Sequence, residues 1–213
     1  MRTLRTVAYF LASGYIACYF SEWMFWSGRP AWDIVQSVPY TWLLYSYVTW
    51  ITLGVVRYFH VRSVWAWFLA GALYGWLIEG VIVQTTYDDF PLNLSFTALA
   101  WHAPLSIVFG LCALPHWMAH APRLAWRAAA GFGVFLGLWS IGWWAEVPVA
   151  PVWIVFVYNA TFTLLLAGAY IARSQLDEAV WYSKAALVAG GALLFVYYLF
   201  VTIPAQPMAI DVL

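Results

Sequence analysis

Apolar residues fall into runs of about 20, long enough to cross roughly 30 Å of hydrocarbon at 1.5 Å of helix rise per residue. Seven such runs can be marked, at residues 5–26, 39–59, 63–85, 95–115, 125–146, 151–171 and 184–204. The breaks between them carry turn chemistry or charge: Ser27-Gly28-Arg29-Pro30, Arg57 to Arg62, Asp88 to Pro91, Pro115 to Arg127, Pro148 to Pro151, and Arg173 to Lys184. No linker is long enough to separate domains, so residues 1–213 are expected to form one polytopic unit. The pattern predicts an all-α integral membrane protein, a seven-transmembrane helix bundle.

Charge orients that bundle. Arg2 and Arg5, Arg57 and Arg62, Arg123 and Arg127, and Arg173 and Lys184 all fall on one side of a seven-span arrangement. Basic residues near helix ends are retained in the cytoplasm, so the N-terminus is expected there and the C-terminus outside the cell membrane. Arg29 is the exception, on the side that also holds Asp33, Asp88, Asp89, Glu146 and Asp211.

Composition agrees. The chain is 65% hydrophobic and 8% charged, against about 25% charged in an ordinary soluble domain. Nine basic residues balance nine acidic ones, which leaves no basic face to bind nucleic acid by counterion release. The apolar run after Arg2 and Arg5 outlasts the h-region of a signal peptide, so an uncleaved first helix is expected. Cys18 and Cys112 are placed in opposite halves of the membrane, too far apart for a disulfide. Of the 16 tryptophans, Trp26, Trp32, Trp65, Trp67, Trp117, Trp126 and Trp181 stand near segment ends, where indole favours the headgroup region. Trp50, Trp76, Trp101 and Trp139 lie deeper.

Polar residues inside the runs concentrate in the half that faces out, which points to a cavity opening to the extracytoplasmic side. Glu79 carries most weight, because a carboxylate at the centre of a helix costs about 2.5–3.5 kcal/mol to insert. It lies roughly 8 Å inside the end of the third run, and His102 lies roughly 10 Å inside the start of the fourth. Antiparallel packing of the two helices would place them in hydrogen-bond reach, as a general acid with the group that orients or reprotonates it. Gly71, Gly75 and Glu79 share one helical stripe by i, i+4, i+8 spacing, so Glu79 is expected to face protein. Pro104 would free the carbonyl of Ala100 near the same level.

The expected substrate-binding set is Trp76, Trp101, Trp139, Trp143 and Trp144, whose ring faces suit a cationic intermediate, with Tyr158, Asn159, Tyr198, Glu22 and Glu146. Glu22 and Glu146 also fit a simpler role as solvated carboxylates at segment ends, and Asn159 one as a helix-packing residue. Four residues could be combined as metal ligands, Glu22, Glu79, His102 and Glu146, but no HExxH motif and no Cys pair supports them. No metal or cofactor is expected. His116 and His120 have i, i+4 spacing but are expected in a solvated basic loop.

The run Gly75-Trp76-Leu77-Ile78-Glu79, with Phe90-Pro91 downstream, is similar to the Glu-bearing helix and following Phe-Pro turn of carotenoid hydratase-type membrane proteins. The similarity covers fewer than thirty residues and lacks the glycine-rich continuation of that pattern. Seven spans in so short a chain also resemble membrane terpene cyclases. No residue role is carried over from either.

Three functions fit these residues. The first is acid–base chemistry on an isoprenoid or other lipid-like substrate, of isomerase, cyclase or hydratase type. The second is a transporter or solute-binding component for a small organic cation or aromatic compound. The third is an accessory subunit of a larger membrane complex, or a homo-oligomer. The expected partners are the lipid bilayer and a small hydrophobic or cationic ligand.

Overall fold

A computed structural model describes residues 2–27, 32–144, 150–176 and 183–211. Among these, every regular element is helical and no strand occurs. Seven long helices follow in order. Helix α1 covers Arg2–Cys18 and runs on through a π-helical turn, Tyr19–Trp23; α2 covers Trp32–Tyr58. Then come α3, Val64–Ile82, α4, Leu92–His120, α5, Pro122–Trp144, α6, Val152–Leu176, and α7, Lys184–Ala205. Five of them, α3 to α7, are long and apolar enough to cross a membrane.

Local chemistry sets the ends. Ser63 caps α3 by accepting from the amide of Ala66 at 3.2 Å, and Ser183 caps α7 through Ala186 at 3.3 Å. Gln84 adopts a left-handed conformation, φ 72°, and stops α3. The expected break at Pro115 is corrected. Helix α4 runs on to His120 because the carbonyl of Gly110, which Pro115 leaves without its i→i−5 donor, is satisfied by the Tyr170 hydroxyl at 2.7 Å. Only Ala121 then separates α4 from α5, so His116 and His120 belong to a helix end and stack with ring centroids 4.5 Å apart. Helix α2 likewise begins earlier than expected, at Trp32.

The core lies among α1, α2, α3 and α4, with α6 adding Tyr158, Phe162, Leu166 and Tyr170 along α1. Tyr15, Ile16, Phe20, Trp23, Tyr45, Val48, Tyr74, Ile78 and Ile107 are all buried there. Helices α3 and α4 touch backbone to backbone. A Cβ built on Gly71 would lie 2.8 Å from the Cα of Ala103, and one on Gly75 2.6 Å from the Cα of Ala98. The small-residue stripe is therefore the α3–α4 seam. Helix α5 is peripheral, with many exposed apolar side chains, including Val134, Leu138 and Ile141. The two cysteines are free.

Candidate functional site

The three helices that meet at the site change winding there. Ser21 and Glu22 sit in the π-turn Tyr19–Trp23, Glu79 in the π-turn Ile78–Ile82, and His102 in the long π-segment Phe96–Ala113. A π-turn breaks the i→i−4 ladder and leaves carbonyls to be satisfied from elsewhere. Side chains supply the donors. Trp101 donates to the carbonyl of Phe20 at 3.1 Å, and Tyr158 to that of Trp23 at 3.2 Å. Tyr87 donates to Gly80 at 3.0 Å and Thr202 to Val81 at 2.8 Å. Burial keeps the Tyr87 phenol above its usual range, so it stays a donor. In the i→i−5 ladder around Pro104, the carbonyl that loses its donor is that of Leu99 rather than Ala100.

Glu79 and His102 are 5% and 2% exposed and hydrogen-bonded to each other, Oε1 to Nε2. Thr85, carried back by the 3₁₀ turn Thr85–Tyr87, donates to the other carboxylate oxygen. Asn93 fixes that turn by donating to the Thr85 carbonyl at 2.7 Å. The far nitrogen of His102, Nδ1, lies 3.1 Å from the Ser21 hydroxyl and 3.3 Å from that of Ser106. Ser21 donates to the carbonyl of Ala17 at 2.8 Å and its oxygen lies 2.9 Å from that of Ser106, so the two hydroxyls and Nδ1 form one hydrogen-bonded network behind the imidazole. Tyr74 covers the imidazole edge-on at 5.8 Å between ring centroids.

A cavity of about 140 Å³ opens beside this pair. Glu22, Glu79 and His102 bring polar atoms to it, Phe25, Trp26 and Trp101 form aromatic walls, and Val83, Phe96 and Thr97 line it where α3 ends and α4 begins. Val83 and Phe96 are exposed, so the mouth is apolar. A larger cavity of about 510 Å³ between α1, α2 and the start of α7 is lined by no carboxylate, imidazole or cation among the described residues.

Of the expected site residues, Glu79, His102, Trp101 and Glu22 come together. Glu22 is half-buried, accepting from Tyr45 and, at 3.3 Å, from Trp26, which corrects its reading as a solvated end residue. Trp26 also forms part of the cavity wall. Trp139 stands behind, 5.1 Å from Trp101 between ring centroids. Trp76 points away: it is 43% exposed and donates to the carbonyl of Leu94. Tyr158 and Asn159 bind the carbonyls that end α1, Trp23 and Ser27. Tyr198 donates to Ala209, apart from the cavity. Glu146 and the side chains of Trp143 and Trp144 lie outside the described residues. Among the described residues the cavity is lined from α1, α3 and α4, with α2 reaching in through Tyr45.

Ser21, Tyr45, Tyr74, Thr85 and Ser106 complete the network. Only Ser106 had a local signal, its i+4 spacing from His102. Among the described residues, no three of His, Cys, Asp and Glu converge as metal ligands would. No family model matches the chain, and neither a curated protein nor a solved structure is similar to it.

Proposed function

We propose that this chain is a seven-span membrane enzyme, N-terminus in the cytoplasm, whose Glu79–His102 pair performs acid–base chemistry on an isoprenoid or other lipid-like substrate. The observation that carries the reading is a buried carboxylate, held by an imidazole and a hydroxyl, at the bottom of an aromatic cavity with an apolar mouth.

The steps follow from the network. Protonated Glu79 gives its proton to an alkene carbon, and the adjacent carbon becomes cationic. Phe25, Trp26 and Trp101 face that charge with their rings, and the Glu22 carboxylate, fixed by Tyr45, supplies an opposite charge across the cavity. Loss of a neighbouring proton, attack by a second alkene, or attack by water then gives an isomerase, cyclase or hydratase. His102, which also lines the cavity, takes the proton released by the substrate or by the attacking water and returns it to Glu79 through the Nε2–Oε1 hydrogen bond.

Cavity size favours this reading over capture of a compact solute. A cavity of about 150 Å³ holds a single benzene ring, so this one takes the end group of a chain whose remainder leaves past Val83 and Phe96. A bilayer amphiphile has that shape. The exposed apolar surface of α5 favours a second reading, a subunit that docks through it. Lipid extracts from cells producing the wild-type chain or Glu79→Gln separate the two. A lipid species altered only by the wild type supports the enzyme, and identical extracts from two folded proteins refute it.

A further inference from the structure

A second polar cavity lies at the other end of the bundle, where α1 begins and α2 and α6 end. Along α1, Tyr9 and Ser21 are separated by roughly 18 Å of helix rise. This cavity, about 290 Å³, is lined by Arg57, His60, Arg62 and Arg173 together with Tyr9 and Trp67, and no carboxylate lines it among the described residues. The cations come from three places in the chain: the last turn of α2, the turn to α3, and the C-terminal part of α6.

Arg173 is held in place. Its guanidinium lies over the Tyr9 ring, 5.6 Å from the centroid, and donates to the Tyr9 hydroxyl at 3.5 Å. Its Nε is buried with no hydrogen-bond partner among the described residues. A buried guanidinium N–H without an acceptor is costly, and the charge it leaves uncompensated favours an anion in the adjoining cavity. His60 is fixed beside it in a left-handed conformation, φ 51°, its amide bonded to the carbonyl of Arg57 at 3.3 Å.

We infer that this cavity binds a phosphate group. The forks of Arg62 and Arg173 facing one space, with Arg57 already engaged at its wall, match the several oxygens of a phosphate better than a single carboxylate. The volume, roughly ten water molecules, admits a phosphate ester with part of its alcohol. Exposed Tyr58, Phe59 and Trp65, close in sequence to Arg57, His60, Arg62 and Trp67, suit an aromatic interface level, where an anionic lipid headgroup would meet the cavity; a soluble phosphate ester offers the same chemistry. The inference is independent of the chemistry assigned to Glu79.

The test uses the full chain in phosphatidylcholine nanodiscs, with short-chain phosphatidylglycerol and inorganic pyrophosphate as probes and Trp fluorescence with native mass spectrometry as readouts. Arg62→Gln, in an exposed turn, is expected to weaken binding about fivefold, and Arg62→Gln with Arg173→Gln about 25-fold. Arg123→Gln with Arg127→Gln, at a different helix end, should leave it unchanged. Binding of phosphatidylglycerol alone assigns the site to lipid, and binding of pyrophosphate assigns it to soluble phosphates; either, with the arginine dependence, supports the inference. Arginine variants that bind as the wild type does overturn it. So does a wild type that binds neither probe until Asp177 and Glu178 are neutralised, since the arginines would then be paired within the chain.

Discussion

Substituting Gly75 by Ala tests the seam on which the site depends. The added methyl would stand 2.6 Å from the Cα of Ala98 and 2.8 Å from its carbonyl oxygen. Carbon atoms rest at about 3.5–4.0 Å, so α3 and α4 must part by roughly 1 Å. Both neighbours are backbone, and no side-chain rotation clears them. Overpacking of this kind costs about 1–3 kcal/mol. Glu79 follows one turn later on the same stripe, so the movement also pulls its carboxylate from His102. A further ~1 Å takes a hydrogen bond of about 2.8 Å past the 3.5 Å at which it ceases to be one. Gly133 is the control, because a Cβ there meets nothing within 4 Å, and Ala gains up to about 1 kcal/mol of helix propensity. Thermal unfolding in detergent, followed by Trp fluorescence, should show Gly75→Ala melting below the wild type and Gly133→Ala at or above it. Equal melting of Gly75→Ala and the wild type would refute the close packing of α3 on α4.

Other perturbations follow from the same geometry. Tyr45→Phe removes the hydroxyl that donates to Glu22 and should cost about 1.5–3 kcal/mol in a denaturant titration, as expected for a hydrogen bond to a charged group. His102→Gln should lower turnover by about 10²-fold or more, measured once a converted lipid is in hand, while the protein still folds. Trp101→Ala should destabilise by about 3–5 kcal/mol, because it empties a buried wall and orphans the carbonyl of Phe20; unfolding midpoints check this. Reporter fusions at the two chain ends should lie on opposite sides of the membrane, and a same-side result would contradict an odd number of spans.

The central pair was legible in the sequence because it depends on depth alone. A carboxylate a few residues before one break and a histidine a few residues after it must meet if the helices are neighbours. The Gly71–Gly75–Glu79 stripe supplied that neighbour relation, and the same stripe argues against Trp76, which lies about 100° around the helix from Gly75. What escaped sequence reading follows from winding. Stripes drawn at a 3.6-residue period do not hold through the π-segment Phe96–Ala113, nor through the π-turns bearing Ser21 and Glu79. Tyr158 and Asn159 are drawn to the end of α1 by carbonyls that no sequence pattern announces. Glu22 seemed terminal by position, but α1 stays packed through its π-turn and Tyr45 captures it.

Deuterium incorporation tests the central claim most directly. If Glu79 protonates carbon, the purified chain incubated in D₂O with membrane lipid extract should place solvent deuterium on a carbon of the lipid it converts. Mass spectrometry should find that label with the wild type and lose it with folded Glu79→Gln. No labelled lipid with the wild type, or equal labelling with Glu79→Gln, would contradict acid–base catalysis by this carboxylate.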